Sequence, residues 1–350
     1  MLRVTLIGMA TLLCIASCSA PAQIRDLRNA EANERSGHHE QALIDYRAAQ
    51  KRCHSIDSPR MRRQSCAAAH LQYAELLVTM DRKREAIEAY RDAEAELSGN
   101  EAAAAQACYA ASLVYDALGD TKKSYELRWK TVTNYPNEGF AADAMKRILQ
   151  DGRTRAPEEL RRELQRLSAS LAHTQISDNI LEALAQLEEA EFSSPKTALH
   201  YYDMLVQAHP GSGFFDDALW HGARLARSLG DGEGAARRLR KLLSTRVVAL
   251  GAGSYFSVWL DNAQLELGLV LRDDLADFDG AIAAFATLPS DYPASLLRDD
   301  ALYERAVTRA KAGDKNTACK DLSKLGKKYP ESRYQLEAAP KLRAELGCVL

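Results

Sequence analysis

The sequence lacks a charge excess: 46 lysines and arginines stand against 48 aspartates and glutamates. A nucleic-acid binder needs a strongly basic stripe, so that class is set aside. It lacks a hydrophobic run of membrane length. Val4 to Ala16 is apolar but too short to span a bilayer as a helix. It lacks period-two alternation, so no stretch reads convincingly as a strand, and Thr245 to Val258 alone is ambiguous.

Catalytic and metal motifs are missing too. There is no G-x-S-x-G, no phosphate loop, no Cys/His nucleophile arrangement, and no H-x3-H or H-E-x-x-H. The eight histidines are scattered, and the adjacent His38 and His39 would point about 100° apart on a helix. They read as solvated or partly buried side chains. Asp216-Asp217, Asp273-Asp274 and Asp299-Asp300 suggest acid–base pairs at first sight. Two of them precede A-L-W or A-L-Y at one repeat position, which marks helix starts. Neither a catalytic residue nor a cofactor is expected.

What the chain does have is a repeat. A small residue is followed four later by a large one at Ala42/Tyr46, Ala86/Tyr90, Ala198/Tyr202, Ala235/Leu239, Ala281/Phe285 and Ala318/Leu322, with Ser124/Arg128 a weakened copy. Five residues before the small one stand Gly37, Gly119, Gly230 and Gly313. Twelve after it stand Pro136, Pro210, Pro293 and Pro330. The fixed offsets carry the inference, since glycine alone is only a turn and proline alone only a stop. Each unit reads as two short helices that cannot bury their apolar faces alone and so must stack on neighbours.

This pattern resembles the tetratricopeptide repeat (TPR), a helix–turn–helix of about 34 residues with an A-x3-F…P tail. The spacing here is longer, 37 residues from Ala198 to Ala235 and from Ala281 to Ala318. The resemblance implies an all-α, right-handed solenoid of about eight helix pairs over residues 24–350, closed by a capping helix from Tyr334 to Leu346. Pairs are expected at 24–50, 66–97, 101–131, 140–171, 179–208, 216–243, 261–288 and 299–325. The fourth is degenerate, with Gly152 and Pro157 in its turn. Lys51 to Arg63 is expected as a loop.

The N-terminus reads as an address. A basic residue, Arg3, and the apolar run lead to Ile15-Ala16-Ser17-Cys18. This resembles a bacterial lipobox, which implies a lipoprotein signal peptide over 1–17, acylation (palmitate) of Cys18 and a short linker over 18–23. Acyl chains each add about 0.8 kcal/mol per buried methylene, so several would hold the protein durably. Ser19 after the cysteine implies, by family analogy, the periplasmic face of the outer membrane. The other reading is an ordinary signal peptide cleaved after Ala20.

Beyond Cys14 in the apolar run and Cys18, five cysteines, Cys53, Cys66, Cys108, Cys319 and Cys348, have the wrong spacing for zinc. In an oxidising periplasm they read as disulfides Cys53–Cys66 and Cys319–Cys348, with Cys108 a buried free thiol. Cys53 would end one helix and Cys66 begin the next, while Cys348 would lie just beyond the cap that folds back on Cys319. The other reading is five reduced, buried thiols.

The repeat register places Tyr109, Trp220, Arg224, Arg227 and Tyr303 on first helices, which line the binding groove of this family. The other reading is that Tyr109 or Tyr303 packs between repeats. Ala235 and Ala281 are 46 apart, so Thr245 to Asn262 is an insertion with about nine surplus residues. Within it Gly251 to Trp259 is expected to present Tyr255, Phe256 and Trp259 to a partner, with Ser254 capping a helix that carries them. The alternative is that these rings pack against the sixth repeat.

In repeat style the chain is similar to the TPR lipoprotein of the outer-membrane barrel-assembly machine and to Tol-Pal-associated TPR proteins, whose C-terminal repeats Asp299 to Arg333 resembles. It has more repeats than the former, and unlike the latter it carries a lipobox and no N-terminal coiled coil. The resemblance implies a non-enzymatic outer-membrane scaffold that binds an envelope protein partner. A peptidoglycan or carbohydrate binder using Tyr109, Trp220 and Trp259 is the alternative. A remnant of an envelope enzyme, such as a solenoid lytic transglycosylase, lacks length for a catalytic domain.

Overall fold

The computed structural model describes residues 22–246 and 257–348, with the backbone alone described at 22, 23 and 153–155. All regular structure among them is helical. The pairs are α1 (Ala22–Arg35) with α2 (His39–Cys53), α3 (Pro59–Thr79) with α4 (Lys83–Glu96), α5 (Glu101–Ala117) with α6 (Thr121–Asn134), and α7 (Gly139–Arg155) with α8 (Pro157–Ser170). Then come α9 (Ser177–Ala190) with α10 (Pro195–Ala208), α11 (Phe215–Ser228) with α12 (Gly232–Leu243), α13 (Leu260–Asp273) with α14 (Phe278–Asp291), and α15 (Arg298–Lys311) with α16 (Lys315–Lys328). A π-helical turn, Tyr334–Ala338, leads into the cap α17 (Ala339–Leu346). The expected TPR-like architecture of eight pairs and a cap is what the chain adopts.

The chain divides into two units, 1–148 and 149–350. Within the first, each of α1 to α6 packs on its sequence neighbours, and first helices also touch across repeats, α1 with α3 and α3 with α5. The second follows the same scheme from α8 to α16, with α13 touching α15 and α15 touching α17. Contacts are therefore local along the chain, as in a repeat array.

The small/large signature is the core of each pair. Every member, from Ala42 and Tyr46 to Ala318 and Leu322, is buried to within 3% of complete, including the weak copy Ser124 and Arg128. Small side chains let the paired helices approach and the large ones fill the space beside them. The polar ends of Tyr46, Tyr202 and Arg128 are answered from the first helix of the same pair. Tyr46 donates to Glu34 (2.5 Å), Tyr202 to Glu189 (3.3 Å), and Arg128 pairs with Asp116. An arginine can therefore replace an aromatic residue at this position, because a carboxylate waits for it.

Seven within-pair turns place one residue in the left-handed region: Gly37, Asp81, Gly119, Ser193, Gly230, Ala276 and Gly313. All seven lie five residues before the small residue, so the offset that located four glycines also holds where glycine is absent. A carbonyl near the end of the first helix accepts from the N–H that follows the left-handed residue, as in Asp120 to Tyr115 and Asp231 to Ala226. Aspartate then starts the second helix. Asp120, Asp231, Asp277 and Asp314 each accept from the backbone N–H three residues on, at 2.8–3.1 Å. The fourth pair departs from this: α7 continues through Gly152 to Arg155, and Ala156 alone joins it to α8.

Three boundaries correct the sequence reading. Helix α1 starts at Ala22, inside the expected linker. Pro59 does not sit in a loop but at the first turn of α3, with Ser58 capping it, so the expected loop of 51–63 shrinks to 54–58. Cys66 therefore lies two turns inside α3. It is bonded to Cys53 (Cα–Cα 5.1 Å), and Cys319 is bonded to Cys348 (Cα–Cα 5.5 Å). Cys108 is free and buried, and burial pushes its thiol up to about 11, which keeps it protonated.

Candidate functional site

The corners between repeats organise the second unit's candidate surface. Ser212 and Ser295, from the P-x-S tails, donate to Asp178 and Asp261 at the start of the preceding first helix, each at 2.7 Å. The same hydroxyls accept from the N–H groups of Phe214 and Leu297. Ser257 does likewise for Trp259 (3.2 Å). Asp216 is its acidic partner: burial pushes that carboxyl up, and the Ser257 hydrogen bond draws it back. The paired carboxylates Asp216-Asp217 are thus structural at these corners.

Trp259 therefore occupies a repeat position. It stands four residues before buried Ala263, as Phe214 stands before Ala218 and Leu297 before Ala301. It immediately precedes α13 and lies on no helix begun at Ser254, which corrects that expectation. Its ring stacks on Trp220 of α11, with centroids 5.2 Å apart and planes at 12°. Its indole N–H donates to Asp217. His221 meets it edge-on and stacks on Tyr202.

The same arrangement recurs at the cap. Tyr303 of α15 stacks on Tyr334, centroids 4.6 Å apart and planes at 18°. The Tyr334 hydroxyl donates to Asp300 (2.9 Å), the counterpart of Asp217. Trp220 and Tyr303 each stand two residues after a buried alanine, Ala218 and Ala301. Both face the next repeat's entry residue, which is the packing alternative anticipated for Tyr303.

The other expected groove residues divide. Arg227 is neutralised by Glu266 (2.8 Å), Asp274 (2.7 Å) and Asp273 (3.7 Å) of the next repeat. Arg272 and Lys311 also bind Asp273, and the Arg272 hydrogen bond holds that carboxyl down at about 2. Arg227 thus belongs to an inter-repeat charge ladder, a role hidden in the sequence because its partners lie 39 to 47 residues away. Arg224 is exposed, its guanidinium 6.0 Å from the Trp220 ring, and has no carboxylate partner among the described residues. Tyr109 lies in the first unit, half-buried against Phe140 and accepting from Arg147 (3.0 Å). Cys18, Tyr255 and Phe256 lie outside the described residues.

Chemically, Arg224 leaves a guanidinium free for a carboxylate beside the stack of buried Trp220 and partly exposed Trp259. Among the described residues no helix is long and apolar enough to cross a membrane.

Residues 262–295 and 300–332 match the family model described as Tetratricopeptide repeat, so these two stretches, the seventh and eighth pairs, are TPR repeats. No curated protein matches the chain. Among solved structures it is similar to the C-terminal part of a TPR repeat-containing protein from Cytophaga hutchinsonii, at 13% identity over 79% of this chain and 87% of that one, TM-score 0.41. It is also similar to PilW, a type IV pilus biogenesis factor, at 15% identity over 77% and 96%, TM-score 0.37. A third is YrrB, described as a TPR protein with an unusual peptide-binding site, at 14% identity over 73% and 99%, TM-score 0.38.

Proposed function

We propose that this chain is a non-enzymatic scaffold, anchored by acyl chains on Cys18 to the periplasmic face of the outer membrane. There it holds an envelope protein partner and serves outer-membrane protein assembly or envelope maintenance. The TPR fold suits protein–protein interaction, and the lipobox-like Ile15-Ala16-Ser17-Cys18 supports the anchor. The observation that carries the binding reading is Arg224. Nearby charges such as Arg227 are consumed between repeats, while Arg224 stands exposed beside the Trp220–Trp259 stack. A carboxylate flanked by an apolar side chain on the partner would complete it. Tyr255 and Phe256 are proposed to extend this contact.

A photo-crosslinker placed in cells at exposed Ser228, one turn along α11 from Arg224, should capture one envelope protein, and adding Arg224→Glu should abolish capture without lowering the melting temperature. Unchanged capture by Arg224→Glu would remove this surface from the proposal. Cys18→Ala should move the protein to the soluble envelope fraction; retention in the salt-washed membrane pellet would refute the anchor. Peptidoglycan binding would need open indole faces, and Trp259 covers one face of Trp220. Isolated sacculi should accordingly retain no protein.

A further inference from the structure

The first unit brings together four side chains that no repeat position requires. Helix α2 ends at Cys53 and His54 follows it as its C-terminal cap residue. Cys53 is bonded to Cys66, and His70 lies one turn beyond Cys66 on the same face of α3. The disulfide thus sets the two histidines side by side. A ring nitrogen of each comes within 4.8 Å of the other and of the Cys53 sulfur. Glu96, the last residue of α4, places a carboxylate oxygen 4.0 Å from His54 Nε2. Asp92 lies one turn earlier on α4. His54, His70, Asp92 and Glu96, with Lys51, line an open cleft of about 430 Å³.

None of this is explained by packing. Elsewhere in the unit, acids of comparable setting are answered: Glu34 by Tyr46, Glu94 by Lys130 and Tyr135, Asp116 by Arg128. Among the described residues neither imidazole makes a hydrogen bond, and the one ion pair of Glu96 is with His54. Two imidazoles and a carboxylate converging from three helices are a donor set for a borderline-soft divalent cation.

We propose that His54, His70 and Glu96 bind a zinc ion, with Asp92 or a water molecule in the fourth place. Bonds of about 2.0–2.2 Å to tetrahedral zinc would set ligand atoms roughly 3.3 Å apart. His54 Nε2 stands 4.0 Å from Glu96 and a ring nitrogen of His54 within 4.8 Å of one of His70, and rotation of His54 and Glu96, both more than half exposed, would bring the three donors together. The two sulfurs are not ligands. They are committed to the bridge, which positions the histidines by fixing the five-residue connection 54–58 to α3. The bound ion would tie α2, α3 and α4 together.

The test is calorimetric titration of Zn²⁺ into the purified, chelator-stripped full chain with its bridges oxidised. One equivalent should bind, and the melting temperature should rise with Zn²⁺. His54→Ala, Glu96→Ala and His70→Gln should each weaken binding at least about tenfold while helix content is unchanged. His54 and Glu96 are exposed, so their variants test the site even if His70→Gln disturbs folding. Loss of binding in His38→Ala with His39→Ala would assign it to an adventitious surface pair and overturn the proposal. So would binding that His54→Ala leaves intact, no binding at all, or binding only after a dithiol has reduced the bridge, which would make the cysteine thiolates the ligands.

Discussion

The Trp220–Trp259 and Tyr303–Tyr334 pairs are the same construction, two repeats apart. Each joins a first-helix residue to the entry residue of the next helical element, and each has an acid, Asp217 or Asp300, taking the entry residue's polar hydrogen. What differs is the chain between. The serine of the P-x-S corner follows the small residue by 14 positions at Ser212, Ser295 and Ser332, but by 22 at Ser257. The repeat absorbs this lengthening and resumes at Ser257 with its hydrogen bonds in place. An insertion is thus bounded by where the corner chemistry restarts, and Trp259 falls on the packing side of that boundary.

The largest test of this equivalence is stability. Trp220 is nearly fully buried, so Trp220→Ala should cost about 3 kcal/mol in urea denaturation. Tyr303 is half-buried against the terminal cap, and Tyr303→Ala should cost roughly half as much. An equal or larger loss at Tyr303 would break the ranking. A negligible loss at Trp220 would show that the indole stack is not structural.

The acids sharpen the comparison at a smaller scale. Asp217→Ala strips the partner of the Trp259 indole N–H and should cost about 1 kcal/mol. Asp300→Ala should cost less, because the Tyr334 hydroxyl sits where water can replace the carboxylate and Arg333 lies mostly exposed beside it. Melting curves of the two variants against their parent decide this, and reversal of the order would sink it.

Much of this construction was legible in the sequence, and the misses have physical causes. The small/large offset located the core of seven pairs, even at Ser124/Arg128, because helix packing demands volume at fixed spacing. The turns at Asp81, Ser193 and Ala276 escaped because glycine was the signal sought, whereas the left-handed position itself is set by the offset. Pro59 reads as a loop residue in the sequence, although proline suits a helix's first turn as well. Arg227 looked available because its three acids lie a whole repeat away. Small-residue spacing gives a surplus of nine. Eight precede Ser257, and the ninth lies in the Ala276 turn, where Asp277 N–H reaches back six residues to Leu271 rather than five.

That turn yields a matched pair of substitutions. Gly230 has φ +80° and open space around a would-be Cβ, so Gly230→Ala meets only backbone strain and should cost about 1 kcal/mol. Ala276 has φ +53°, so Ala276→Gly relieves strain of about 1–2 kcal/mol but adds freedom to the unfolded chain. The net gain should be about 0.5 kcal/mol, read as a small rise in melting temperature. A loss on Ala276→Gly would mean that the methyl group contributes more by packing than the backbone loses by strain.

The smallest expected effect separates the surplus from the repeat. Trp259 is accounted for by Trp220, Asp217 and the Ser257 corner, so Trp259→Ala should lower the melting temperature whether or not a partner is present. Tyr255 and Phe256 precede the corner and have no counterpart in the repeats that run from proline straight to serine. Nothing in the repeat register requires them for packing, so Tyr255→Ala with Phe256→Ala should change stability by less than about 0.5 kcal/mol. If they extend the Arg224 surface, partner capture should nevertheless fall, since exposed aromatic anchors can each be worth about 2 kcal/mol of binding. A double variant that melts several degrees lower would place them with Trp259 as packing residues and end their role in the proposed contact. A variant that keeps both its melting temperature and its capture would show the surplus to be a tolerated lengthening of the corner.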